Sequence, residues 1–160
     1  KYKAAPGTPY DVYCRVDVQA LSTAAVTTNV DVRGGILFKD TGGDNERLGF
    51  GIQVNRVSGD ENVTWAAICT RYSGASPPVA SANPLLKYGA APWKWLRVNN
   101  DATTLTFYVS MDGRNWITVG TEALAAFIDA AASYGVWALA TSDSTEAAAI
   151  FSYFSTTAPA

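Results

Sequence analysis

Glycoside hydrolysis needs two carboxyl groups about 5–9.5 Å apart, flanking the bond to be cut. On a strand, that means acids two residues apart on one face. The acids of this 160-residue sequence are not arranged that way. Asp60-Glu61 sits in a turn, Asp129 closes an apolar segment, and Asp143 and Glu146 bracket a Ser-containing turn. Asp11 and Asp17 share a strand face but stand too far apart to work as a pair. Solvated turn acids explain each of them. Ser110 and Cys14 offer nucleophilic atoms, but the chain contains no His, the commonest activating base. The residue types therefore predict a protein that is not an enzyme. The missing imidazole also removes the commonest transition-metal ligand. Oxygen ligands remain at Asp40, Asp44, Asn45 and Glu46, and Ca²⁺ takes several oxygens from one short loop. The same residues are favoured in an ordinary polar turn, the commoner explanation of such a cluster.

Sugar recognition asks for different residues: an aromatic plate for the apolar face of a pyranose, and planar polar groups for its hydroxyls. Trp65, Tyr72, Tyr88, Trp93 and Tyr108 are candidates for the plate. Gln53, Arg71, Arg97 and Asn99 are candidates for the polar partners. The ligand-binding set expected from these is Gln53, Trp65, Arg71, Tyr72, Arg97 and Tyr108. Trp93, Trp95, Trp116 and Trp137 are expected to fill a sandwich core more than to bind anything, since large aromatics commonly go there.

Strands must position these groups. Leu105, Phe107 and Val109 alternate with Thr104, Thr106, Tyr108 and Ser110, the period of two that marks a half-buried strand. Asp112-Gly113 supplies a tight turn into Trp116-Ile117-Thr118-Val119. Residues 10–20 alternate in the same way, with Val12, Cys14, Val16 and Val18 on one face and Asp11, Tyr13, Arg15 and Asp17 on the other. Further strands are expected over 28–39, with a bulge or close backbone approach at Gly34-Gly35, and over 48–55, 63–72, 93–99, 134–141 and 148–155. Leu48, Phe50, Ile52 and Val54 form an apolar face, so Gln53 is expected to project beside Gly49 and Gly51. Should that face be shared with Arg97 and Tyr108, the three would line one shallow groove floored by glycine. Residues 73–92 hold four prolines and read as the longest loop. Residues 121–130 are the one convincing helical segment, with Thr121 as cap and Leu124, Phe127 and Ile128 on one side. About nine or ten short strands with one short helix predict an all-β fold, a two-sheet antiparallel β-sandwich occupying residues 1–160 as a single domain.

Composition narrows the partners. A net charge of −2 and a pI near 5.0, with arginines scattered singly, exclude the basic stripe that nucleic acid requires. No apolar run approaches the ~20 residues of a membrane-spanning helix. Cys14 and Cys69 both fall in apolar runs and read first as buried free thiols, with a disulfide as the alternative.

Several segments carry a family likeness. Trp93-Lys94-Trp95-Leu96-Arg97-Val98, the Phe-Tyr-Val-Ser-Met-Asp-Gly-Arg-Asn-Trp hairpin, Tyr134-Gly135-Val136-Trp137 and Phe151-Ser152-Tyr153-Phe154 together resemble the concanavalin A-like lectin/glucanase superfamily. Gly34-Gly35-Ile36-Leu37-Phe38-Lys39-Asp40 is similar to the glycine-containing second strand of its laminin-G-like members. The resemblance implies a jelly roll of the kind found in lectins, in accessory modules of glycoside hydrolases and in phage fibres. The Glu-x-Asp-x-x-Glu arrangement of its glucanases is missing, and so is the His that legume-type lectins use to hold metal. What the resemblance implies is a non-catalytic attachment module, extracellular or on a virion surface, whose partner is a glycan or cell-surface receptor. The rival expectations are a structural virion module packed against itself or neighbouring subunits, and an accessory domain of a glycoside hydrolase.

Overall fold

Val12, Cys14, Val16 and Val18 are all buried, while Asp11, Arg15 and Asp17 between them keep part of their surface in solvent. The same alternation organises the rest of the chain. The computed structural model describes residues 2–20, 30–40, 46–56, 63–73, 79–80, 86–89, 91–128, 131–140 and 147–160. Among these lie twelve strands: β1 (Tyr2–Ala4), β2 (Tyr10–Ala20), β3 (Val30–Asp40), β4 (Arg47–Arg56), β5 (Val63–Ser73), β6 (Val79–Ala80), β7 (Leu86–Tyr88), β8 (Trp95–Asn100), β9 (Thr104–Ser110), β10 (Ile117–Ala123), β11 (Ala131–Ala140) and β12 (Ala147–Ser155).

They form two antiparallel sheets. A seven-stranded sheet runs β1-β11-β3-β4-β5-β6, with β7 also paired to β5, and a five-stranded sheet runs β10-β9-β8-β2-β12. The result is the expected two-sheet sandwich. Phe38, Leu48, Phe50, Ile52 and Ile36 of one sheet face Val12, Cys14, Val16, Leu96, Leu105 and Phe107 of the other. The Phe50 and Phe107 rings meet across the gap with centroids 5.0 Å apart. At Gly34 the sheets come closer still: a Cβ there would lie 2.9 Å from the Ala149 Cβ and 3.2 Å from Val18. The β3–β4 register passes unbroken through Gly34↔Ile52 and Gly35↔Gly51, so this glycine pair is a close approach and not a bulge.

Two sequence expectations change. The segment 121–130 is not the expected helix. Thr121 to Ala123 complete β10, pairing with Thr106 to Thr104, and only Leu124–Ala126 turn, as a single 3-10 turn. Ladder pairing with β9 takes the backbone groups that a helical first turn would use. Thr121 is therefore a strand residue, and the residue before the turn, Ala123, makes no side-chain cap. Leu124 and Ile128 are buried as the pattern required. Within the expected 73–92 loop, the short strands β6 and β7 extend the sheet beside β5.

Tryptophan is the other correction. Trp65 and Trp93 pack against the inter-sheet core. Trp95, Trp116 and Trp137 lie outside it, against the outer faces of the sheets. Aliphatic residues and Phe fill the narrow gap between the sheets instead.

Candidate functional site

The six candidate binding residues fall in four different environments, and the single groove expected for Gln53, Arg97 and Tyr108 does not form. Gln53 belongs to the seven-stranded sheet, whereas Arg97 and Tyr108 belong to the other. Because each points away from the shared core, they lie on opposite sides of the sandwich.

On the outer face of the seven-stranded sheet, Gln53 is only 8 % exposed and donates from Nε2 to Asp31 Oδ2 at 2.9 Å. Asp31 also accepts from Arg33 Nε at 3.0 Å. Burial pulls the Arg33 pKa down, but the bonds and charge of Asp31 outweigh it and leave it raised. The glycine floor beside Gln53 is covered. A Cβ on Gly49 would lie 3.0 Å from both the Trp137 and the Tyr72 rings, which meet edge to face at 5.6 Å. Trp137 is pinned there by its indole N–H, which donates to the Ile36 carbonyl at 3.0 Å. Tyr72 is 7 % exposed, and burial raises its pKa.

Arg71 faces inward, and its sequence-derived role as a sugar partner meets a different geometry. It pairs with Glu122 of β10 across the gap between the sheets, and its guanidinium carbon lies 5.1 Å from the Phe127 ring centroid. A bulge creates this tie. The β10 register shifts between Thr118 and Gly120, which turns Glu122 inward opposite Leu105. Trp65 stands opposite Val54 and packs against the core. Tyr88 lies in β7.

The outer face of the five-stranded sheet brings two candidates together. The register places Tyr13, Arg97, Tyr108 and Thr118 in one row across β2, β8, β9 and β10. The Arg97 guanidinium lies 4.7 Å from the Tyr108 ring centroid and 5.7 Å from that of Tyr13. Such stacking contributes ~0.5–1 kcal/mol at exposed sites and more when desolvated. Arg97 donates from Nε to Asp11 Oδ1 at 2.9 Å, and Asn99 Nδ2 donates to the same oxygen at 3.2 Å. The next row along, Asp11, Asn99, Thr106 and Thr121, is entirely polar. Arg97 and Asp11 keep 26 % and 25 % of their side chains exposed, whereas Tyr13 beside them is only 7 % exposed. Trp116 stands edge-on to Tyr13 with centroids 5.8 Å apart.

The turn that delivers Trp116 is held by Asp112, which accepts from the Arg114 and Asn115 amides at 2.8 and 2.9 Å and from Ser110 Oγ at 2.8 Å. Those bonds, the Asn115 amide first, hold its carboxyl below the ordinary carboxylate range. Gly113 takes φ +79°, the left-handed region that glycine enters without steric cost. This constellation is architectural. Its effect is to bring the 110–116 segment against Trp95, which a Cβ on Gly113 would meet at 2.9 Å.

Asp11, Tyr13 and Trp116 were absent from the expected binding set. Alternation had placed Asp11 and Tyr13 on the outer face. Only the β2–β8 register, Tyr13↔Arg97 and Asp11↔Asn99, shows that they complete the platform. Of the expected Ca²⁺ ligands, Asp40 and Glu46 frame the β3–β4 connection through an Asp40 N–H to Glu46 carbonyl bond of 3.2 Å. Asp44 and Asn45 lie outside the described residues. Among the described residues no group of three or more His, Cys, Asp or Glu side chains is placed to hold a metal. No helix among them is long and apolar enough to cross a membrane.

No family model and no curated protein matches the chain. Among solved structures, it is similar to the crystal structure of a functionally unknown protein from Saccharomyces cerevisiae, at 22 % identity and a TM-score of 0.50, covering 96 % of this chain and 72 % of that one. A CBM2 module of the evolved Dit of Lactobacillus casei BL23 phage J-1 also matches, at 12 % identity and a TM-score of 0.49, covering 94 % of this chain and 64 % of that one. The likeness to the yeast protein is one of fold.

Proposed function

We propose that this chain is a non-catalytic, lectin-like attachment module that captures a glycan or glycosylated receptor on the outer face of its five-stranded sheet. One observation carries the reading: Arg97 is clamped between the rings of Tyr13 and Tyr108 while Asp11 and Asn99 fix its orientation. This gives a rigid aromatic plate beside planar donors and the hydroxyls of Thr106, Thr118 and Thr121, the combination that pyranose rings use. Preorganised groups lose little freedom on binding. Affinity per module would be modest and raised by multivalent display, as on a phage fibre or similar appendage. We propose concanavalin A-like kinship, together with a virion-surface or extracellular setting, as the context of that display. An accessory domain of a glycoside hydrolase would use the same face in the same way. Calcium at Asp40, Asp44, Asn45 and Glu46 is a separate proposal, dismissed by a melting temperature that EDTA leaves unchanged.

The test is a broad glycan array. Binding is expected for the native chain and is expected to fall at least tenfold for Tyr108→Ala. A second reading, assembly against neighbouring virion subunits or another copy, is favoured by β12. This edge strand carries no charged residue over Ala147–Ser155 and exposes Ile150, and an uncharged edge is a template for strand pairing. A silent array with a stable homo-oligomer in solution would replace the first reading by the second.

A further inference from the structure

We infer that the ligand of the five-stranded face carries a carboxylate and that Arg15 receives it; the inference rests on the attachment reading and names its ligand class. Among the described residues, the acids of this face are already engaged. Asp11 holds Arg97 and Asn99, Asp17 faces Lys94 at 3.5 Å, and Asp112 accepts the amides of its own turn. Arg15 stands apart from these pairs. In register it lies between Trp95 on β8 and Tyr153 on β12, whose rings approach to 5.4 Å. Its guanidinium carbon is 5.8 Å from the Trp95 centroid. Among the described residues it has no acidic partner, and its Nε is buried without a hydrogen bond.

A ring face satisfies the π-surface of a guanidinium but none of its in-plane N–H groups. A buried donor on a charged group is costly to leave unmade. The Arg15 Nε is closed off, so the group that completes the fork meets the terminal guanidinium nitrogens, where a planar carboxylate accepts bidentately. Arg15 follows Tyr13 on the same face at one strand repeat, about 7 Å, and Tyr108 lies two strands from Tyr13, about 10 Å. An oligosaccharide laid from Tyr108 across Arg97, beside which Tyr13 is buried, therefore reaches Arg15 with a neighbouring residue. A neutral sugar offers hydroxyl acceptors but no charge, whereas a carboxylate matches both the paired N–H groups and the charge of the guanidinium. The expected ligand is an acidic glycan, its carboxylate at Arg15 and one ring face on Tyr108.

Titrations of the full chain with oligogalacturonate, alginate and hyaluronan oligomers, with their carboxyl-reduced counterparts and with sialylated oligosaccharides test this. An acidic arm is expected to bind at least tenfold more tightly than its neutral counterpart, and the sialylated arm separates a terminal acid from an in-chain uronate. That preference should shrink as salt rises from 50 to 500 mM. Arg15→Gln should remove it, and Arg15→Lys should restore part of it, with thermal melts checking that both variants fold. Equal binding of acidic and reduced forms overturns the carboxylate inference and leaves the attachment reading standing. Binding of no glycan, acidic or neutral, overturns both. Binding of an acidic arm that Arg15→Gln leaves unchanged overturns the role of Arg15.

Discussion

Replacing Gly51 by alanine should cost far more than the single methyl group suggests. A Cβ at Gly51 would lie 2.6 Å from the Gly34 carbonyl oxygen and 3.0 Å from its carbon. Those atoms cannot move alone, because Gly34 is paired on both sides, with Ile52 of β4 and Ala138 of β11. Relief requires prising β3 from β4 at the centre of the seven-stranded sheet. At Gly49 the nearest atoms belong to the Trp137 and Tyr72 rings, both at 3.0 Å, side chains that give more readily than paired backbone even with the indole N–H bonded to Ile36. Gly7 meets nothing within 4 Å. The expected order follows from overpacking costs of about 1–3 kcal/mol, with backbone clashes at the upper end and yielding side chains at the lower. Gly51→Ala should lose about 3 kcal/mol and Gly49→Ala about 1 kcal/mol. Gly7→Ala should be neutral or stabilise by about 0.5 kcal/mol, because alanine narrows the unfolded ensemble. For a domain of this size the Gly51 loss corresponds to a fall of roughly 6–12 °C in Tm. Urea denaturation of the three variants, with m-values checked for constancy, measures the series. A Gly51→Ala variant within about 0.5 kcal/mol of Gly7→Ala, the span of an ordinary surface substitution, would refute the β3–β4 register given above.

Other outcomes follow from the same geometry. Glu122→Ala strands the Arg71 guanidinium between the sheets and should cost about 2 kcal/mol, less than a fully buried pair because Arg71 is one-third exposed; Arg71→Met with Glu122→Leu should recover most of that loss in a double-mutant cycle. Asp112 has a depressed pKa in the folded chain, so its contribution is present above the ordinary value of 3.8 and is lost as pH falls through the folded one. The Tm difference between the native chain and Asp112→Ala should therefore hold from pH 7 to 5 and begin to narrow below about pH 4; a constant difference down to pH 2 would contradict the turn's bonding. Both cysteines are free and buried, and burial pushes the Cys14 thiol to about 12 and that of Cys69 upward as well. Neither should react with a thiol reagent at pH 8 until denaturant is added, and rapid labelling of the native protein would argue against the packed core.

Alternation made most of the sandwich legible from sequence, because a period of two is fixed by the pleat and survives whatever the strands pair with. The inner faces of β2, β4 and β9 follow it residue by residue. The site was less legible, since a face is assembled from strands distant in the chain. That Tyr13 stands beside Arg97 depends on pairing across 83 intervening positions, which no local pattern encodes. The same gap explains why Gln53 and Tyr108, both correctly read as pointing away from the core, were expected in one groove. Arg71 and Glu122 escaped for another reason. The inward turn of Glu122 depends on the extra residue Val119 in β10, for which Gly120, a residue type that often accompanies bulges, is the one local signal. The expected 121–130 helix failed because its composition suits a helix while its backbone is claimed by β9.

The placement of tryptophan outside the core gives the molecule an optical property. Trp95 and Trp116 lie on one broad side of the sandwich, beside Arg15 and Tyr13, and Trp137 lies on the other, against Tyr72. Each indole thus has a different neighbour able to quench or shift its emission. A ligand that lands on the Tyr108 face should perturb Trp95 and Trp116 and leave Trp137 dark to the event, whereas contact on the Gln53 face should do the reverse. With Trp→Phe replacements to isolate each indole, intrinsic fluorescence can tell which side of the domain is touched without any label attached to the protein.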